Sequence, residues 1–147
     1  MKVEIKNEMI PLITEFVGGL PLVRKHSRFR RELIKMLSEN YEKVEDQRME
    51  IVKEHCEKDS AGKPIIKEKQ YRIPEENQEK YQEDVTELMN EVYVIEGGNN
   101  RELIRTMRTI LLKFENQEYQ GKESATYDYL YEQFKVDENL EEEAENE

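Results

Sequence analysis

Between Ser27 and Lys58 a stripe of Leu37, Tyr41, Val44, Arg48, Ile51 and His55 recurs in steps of 4, 3, 4, 3 and 4. That spacing keeps one line of side chains on one side of a helix and suits the seam of packed helices, whose repeat is about 3.5 residues. The stretch holds neither Gly nor Pro, so it is predicted as one long helix with Ser27 as its N-cap. Arg48 and His55 fall on the stripe or flank it, leaving Met49 and Val52 for the buried edge. Asp59-Ser60-Ala61-Gly62-Lys63-Pro64 stops the helix, because Gly frees the backbone and Pro cannot continue the ladder. A second stripe, Tyr81, Val85, Leu88, Val92 and Ile95, repeats the steps 4, 3, 4, 3 and predicts a helix over Glu75 to Val94. Pro74 leads it in, and Glu75, Glu76 and Glu79 lie where the helix dipole favours acids. The connection between the two is short enough for an antiparallel hairpin.

The remaining pattern supplies smaller pieces. Lys2 to Lys6 alternates and predicts a short strand with Val3 and Ile5 inward, although no long partner strand is evident. Asn7 is placed to cap a helix from Glu8 to Val17, with Ile10, Ile13, Phe16 and Val17 on its apolar face and Gly18-Gly19 at its end. Leu20-Pro21-Leu22-Val23 is an apolar connector. Pro64 to Pro74 has the composition of a small β-arm or extended connector, marginal by itself in water. After Gly97-Gly98-Asn99-Asn100, Asn99 or Asn100 caps a third helix over Arg101 to Phe114, which buries Leu103, Met107, Ile110, Leu111 and Phe114. A last helix from Glu123 to Lys135 carries Tyr127, Leu130, Tyr131 and Phe134. That stripe either seals the core or, at Tyr127 and Tyr131, offers a face to a partner. The expected fold is therefore mainly α: a long-helix hairpin, two shorter packing helices, a short N-terminal strand and a small β-arm.

Composition makes the core thin, since 39% of the residues are charged and 36% apolar in a chain of 147. The net charge is −11, but the last twelve residues hold seven acids and no base, so residues 1–135 hold only −4. Residues 136–147 are expected to form a disordered acidic tail behind a single helical domain over 1–135. The one feature that stands against the charge is Arg24-Lys25-His26-Ser27-Arg28-Phe29-Arg30-Arg31, with five full positive charges and no acid. Arg24, Lys25, Arg28, Arg30 and Arg31 could meet phosphate, an acidic protein or the chain's own tail, or stand as a solvated helix start. Nucleic-acid binding is the disfavoured reading, because no interleaved aromatic set accompanies the patch.

No run of apolar residues is long enough to span a membrane, and the acids in Met1-Lys2-Val3-Glu4-Ile5-Lys6 do not suit a signal peptide, so a cytoplasmic site of synthesis is expected. Cys56 is the single cysteine, which excludes an internal disulfide. For general acid or base work there are only His26, inside the cationic run, and His55, whose neighbour Cys56 points about 100° away on a helix. Three Cys or His side chains at no ligand spacing argue against a zinc site. Gly97-Gly98 before a helix lacks the Lys-Ser/Thr of a phosphate loop. The expectation is a non-enzyme without metal or cofactor.

The segments Lys25-His26-Ser27-Arg28-Phe29-Arg30 with Leu33-Ile34-Lys35, Asp59 to Pro64, Leu88-Met89-Asn90-Glu91 running into Val94-Ile95-Glu96-Gly97-Gly98-Asn99-Asn100, and Tyr127 to Phe134 carry a resemblance. The chain resembles a family of small proteins encoded by tailed phages of Gram-positive bacteria, catalogued as a domain of unknown function. The resemblance spans all but the acidic tail and implies a phage origin with no catalytic residues to carry over. The expected function is a minor virion or tail-assembly component acting by protein–protein binding, in the host cytoplasm or the virion. The alternative is an anti-defence or host-takeover inhibitor whose acidic tail and acidic second helix occupy a nucleic-acid-binding surface of a host protein. A homo-oligomer stays open, because the seam can be satisfied within one hairpin or between chains.

Overall fold

The computed structural model describes residues 1–138. Five α-helices dominate it: α1 (Ile10–Gly18), α2 (Arg24–His55), α3 (Gln78–Asn90), α4 (Arg101–Lys113) and α5 (Gly121–Gln133). Four strands form two antiparallel pairs, β1 (Lys2–Lys6) with β4 (Val92–Glu96) and β2 (Ile66–Lys67) with β3 (Gln70–Tyr71). The mainly helical architecture with a long hairpin and a small β element is the one the hydrophobic pattern predicts.

The long helix begins and ends three residues earlier than its pattern suggests. Leu20 and Leu22 are buried, which holds the connector down, and His26 N–H donates to Val23 C=O at 3.2 Å, closing the first turn ahead of Ser27. Ser27 therefore lies inside the helix, and the N-cap position falls to Val23, which has no side-chain acceptor to give. At the other end Cys56 turns extended. Asp59 Oδ1 then accepts from Ala61 N–H at 2.9 Å and Lys63 N–H at 3.0 Å, and Gly62 adopts φ +81, so the break is an Asx-stabilised turn. The β2–β3 hairpin follows; Glu68 and Lys69, both at positive φ, make its two-residue turn. Main-chain bonds from Glu57 N–H to Arg72 C=O and from Ile65 N–H to Glu57 C=O, each 2.9 Å, tie this arm to the end of α2.

The second helix departs most from expectation. It stops at Asn90, and Val92 to Glu96 leaves the helical stripe to become β4, the partner β1 needs. Val92-Tyr93-Val94-Ile95 is a run of β-branched and aromatic side chains that fits a pleated, half-buried surface better than a helix. The register pairs Lys2 with Glu96, Val3 with Ile95, Glu4 with Val94, Ile5 with Tyr93 and Lys6 with Val92. Val3, Ile5 and Ile95 turn inward and are essentially inaccessible. Asn7 does not cap α1; its side chain is buried and donates to Leu88 C=O at 2.9 Å, while its N–H reaches Glu91 C=O at 2.9 Å, joining β1 to the end of α3.

One core gathers Val3 and Ile5, the inner faces of α1, α4 and α5, Leu33 and Leu37 from the first half of α2, and Ile95. Val136 belongs to it too, at 6% exposure, so the packed body runs past Lys135 rather than ending there. Arg108 Nη2 donates to Lys135 C=O at 2.9 Å and to Val136 C=O at 3.3 Å, fastening that end. The tail expected over 136–147 is thus shortened at its start, and its part beyond residue 138 lies outside the described residues.

Candidate functional site

The basic run opens α2 and divides in two. Arg24, Lys25, Arg28 and Arg31 are exposed. Arg30 is half-buried and turns back onto α1, where its Nη1 donates to Leu20 C=O and makes a longer contact of 3.5 Å to Gly18 C=O. A helix C-terminus leaves carbonyls without amide partners, and a guanidinium there satisfies them and suits the dipole. Arg30 is thus a structural residue. Lys25 reaches Glu102 of α4 at 3.2 Å, a pair too exposed to hold much together.

The tyrosines resolve into a wall and a mouth. Tyr127 is buried, and its hydroxyl donates to Leu111 C=O at 2.7 Å. It stacks on Tyr119 at 5.2 Å between centroids, while the edge of Phe16 meets Tyr119 at 5.2 Å and Tyr127 at 6.2 Å. Tyr127 therefore seals the core, and of the two tyrosines singled out for a partner only half-buried Tyr131, 5.8 Å from it, reaches the surface. Beside these rings lies an open cleft of about 300 Å³ between α1, the loop after α4 and α5, with Leu12, Phe16, Leu20, Phe114 and Tyr119 as its apolar lining. Glu15 and Lys122, 3.8 Å apart, stand on its rim. The Tyr119 hydroxyl is shielded from solvent and has no hydrogen-bond partner among the described residues. Burial, and after it the charge of Glu123, push its phenol up.

Burial, followed by Tyr131, pushes the Tyr127 phenol up to about 12. An unfolded tyrosine ionises near 10, so the unfolded chain releases this proton first. The stabilisation is complete below about pH 10 and is lost as the pH rises through about 12, some 2–3 kcal/mol in all. Urea midpoints at about pH 9 and about pH 11.5 should separate widely in the wild type and less in Tyr127→Phe, which has no proton there to lose. Equal separations would show that Tyr127 does not carry the alkaline sensitivity.

At the far end of the hairpin, His55 and Asp84 meet across the α2–α3 seam. His55 is buried and its Nε2 donates to Asp84 Oδ2 at 2.6 Å. Its carbonyl accepts from Asn77 Nδ2 at 2.8 Å, and its ring stands edge-on to Tyr81 at 6.3 Å. Glu54, His55 and Asp84 each bring one donor atom within 4.8 Å of the others. A cation could enter only by breaking the 2.6 Å bond, which already satisfies two of the three groups. Cys56 points its thiol at Lys53 C=O, at 3.4 Å, and offers His55 no nucleophile. The arrangement suits a clamp holding the end of α2 to the middle of α3. Asp84→Ala would leave a buried N–H without an acceptor and is expected to cost about 1–3 kcal/mol, whereas Asp84→Asn keeps an acceptor and should cost less. Thermal unfolding checks both, and a wild-type midpoint in Asp84→Ala would refute the clamp.

Two of these groupings were missed by sequence reasoning. Asp84 shares the face of Tyr81, Val85 and Leu88 at i+3, but one acid among many gave no sign of a buried partner. The cleft collects side chains from α1, the connector, the loop after α4 and α5, and Tyr119 sits outside every helix, so no local period marks it. Comparison of the chain with protein-family models, with curated proteins and with solved structures finds no match.

Proposed function

We propose that this chain is a non-catalytic binding protein that takes an apolar side chain from a segment of a partner protein into the aromatic cleft between α1, the loop after α4 and α5. The observation that carries the reading is the cleft itself. Rigid aromatic walls present contact area at little entropic cost. The polar rim of Glu15, Lys122 and Glu123 is the usual border of such a pocket. The resemblance to tailed-phage proteins supports a setting in virion or tail assembly, within the host cytoplasm or the virion. No helix among the described residues is long and apolar enough to cross a membrane.

Gly19 lines the cleft with φ −90, and a Cβ added to it would meet its nearest atoms at 3.6 Å, so larger residues fit its backbone without strain. Gly19→Phe should fill the cleft and leave the thermal midpoint near that of the wild type. A phage structural protein recovered from infected cells by the tagged wild-type chain should be reduced at least about tenfold with Gly19→Phe. Equal recovery by both chains would remove the cleft from the mechanism.

A second reading rests on the outer face of α3, where Glu79, Glu83 and Glu87 stand exposed one turn apart. This row would let the chain act as an inhibitor occupying a nucleic-acid-binding surface of a host defence enzyme or polymerase. Replacing the three by Gln while inhibition persists would dismiss it.

A further inference from the structure

The β1–β4 ribbon has one closed edge and one open edge. Asn7 N–H bonds to Glu91 C=O at 2.9 Å and Gly97 N–H to Met1 C=O at 3.0 Å, and these bonds bracket the ladder. With the register they place Val3 and Ile5 of β1 in hydrogen-bonded pairs with Ile95 and Tyr93 of β4. The main-chain groups of Lys2, Glu4 and Lys6, and of Val92, Val94 and Glu96, therefore point outward. On β1 that edge is engaged by α5, because Lys6 N–H donates to the Tyr129 hydroxyl at 2.9 Å. On β4 the outward groups of Val92, Val94 and Glu96 have no hydrogen-bond partner among the described residues. Their side chains share the solvent face with Lys2, Glu4 and Lys6, and Val92 and Val94 are 43% and 39% exposed. Edge strands are ordinarily protected by Lys, Pro or a bulge; Val92-Tyr93-Val94-Ile95-Glu96 has none of them.

We propose that two copies of this chain pair through β4, antiparallel and about a twofold axis at Val94, to make a four-stranded sheet ordered β1-β4-β4-β1. The outward groups match when Val94 faces Val94 of the second copy and Val92 faces Glu96, so each β4 edge satisfies the other. The four valines Val92 and Val94 then form one apolar patch across the axis. The charges agree with this direction. Each Glu96 is flanked in its row by Lys2 of its own chain and, beyond Val92, by Lys6 of the second copy, while the two Glu96 lie about 14 Å apart, past the screening length. Parallel pairing would set them side by side. This inference does not rest on the aromatic cleft, which lies on other elements.

The test is sedimentation equilibrium of the full chain over about 5 to about 500 μM, the range in which a small interface dissociates. The weight-average mass of the wild type should climb from 17.7 kDa towards twice that value. Val94→Asp puts two carboxylates on the axis and should raise the dissociation constant at least about tenfold. Val94→Pro removes only an outward N–H and should do the same with an unchanged circular dichroism spectrum. Val23→Asp, at the most exposed large apolar residue away from the sheet, should leave the dimer intact. A wild type that stays monomeric throughout, as it would if another segment of the chain or a foreign strand were the occupant, overturns the proposal. So does a dimer that survives Val94→Asp.

Discussion

Phe134→Ala is expected to destabilise the fold by about 3–5 kcal/mol, the cost of emptying a fully buried aromatic site that its neighbours cannot collapse into. Phe134 ends α5 and is inaccessible to solvent. Its N–H still bonds to Leu130 C=O at 2.9 Å, so its backbone is held while its ring belongs to the same buried core as Leu130 and Val136. Against a total stability of about 5–15 kcal/mol for a domain of this size, such a loss takes away a large part of the margin. The urea midpoint should fall steeply with little change in slope, because the same surface is exposed on unfolding. Leu112→Ala, at a side chain 48% exposed on α4, should move it by no more than about 0.5 kcal/mol. A loss below about 1 kcal/mol at Phe134 would mean that α5 lies loosely on the core. The aromatic cleft, which α5 lines with Lys122, Glu123 and Thr126, would then have no firm base.

The contrast between Phe134 and Asp84 shows which parts of this molecule were legible in the sequence. Phe134 closes a stripe with Tyr127, Leu130 and Tyr131, and a helix buries whatever recurs on one side, so its place was readable from spacing alone. Leu37 and Val44 on α2, and Met107, Ile110 and Leu111 on α4, were readable for the same reason. The β-arm was legible from its bounding prolines and Gly62. What escaped depends on pairs distant along the chain. Asn7 looks like a cap, yet it spends its side chain 81 residues away on Leu88 because the end of α3 arrives there. Arg30 looks like one cation of five, yet carbonyls at the end of α1 claim it. Ser27 is a good cap by composition and is overridden by the packing of Leu22 just upstream. Local propensity proposes such positions, and tertiary contacts decide between them.

Ile95→Asp should be the most damaging change in β4, for a reason that separates the strand from the helix its period first suggests. On a helix continuing α3, Val92 and Ile95 would share the buried face, and charges at either would be comparably harmful. On the strand the faces alternate: Ile95 is 1% exposed against Val3, whereas Val92 and Val94 look outward at 43% and 39%. A carboxylate at Ile95 would enter a core whose described members are apolar and must either stay charged without water or take a proton, so a loss of more than about 4 kcal/mol is expected. Val94→Asp, measured in dilute solution where the proposed β4 pairing is dissociated, should stay within about 0.5–1 kcal/mol. Chemical denaturation of the two variants gives the comparison directly. A larger loss at Val94 than at Ile95 would require a one-residue slip of β4 against β1. That slip would turn Val94 inward, close the edge on which two copies are proposed to meet, and break the alternation that fits β1 to the core.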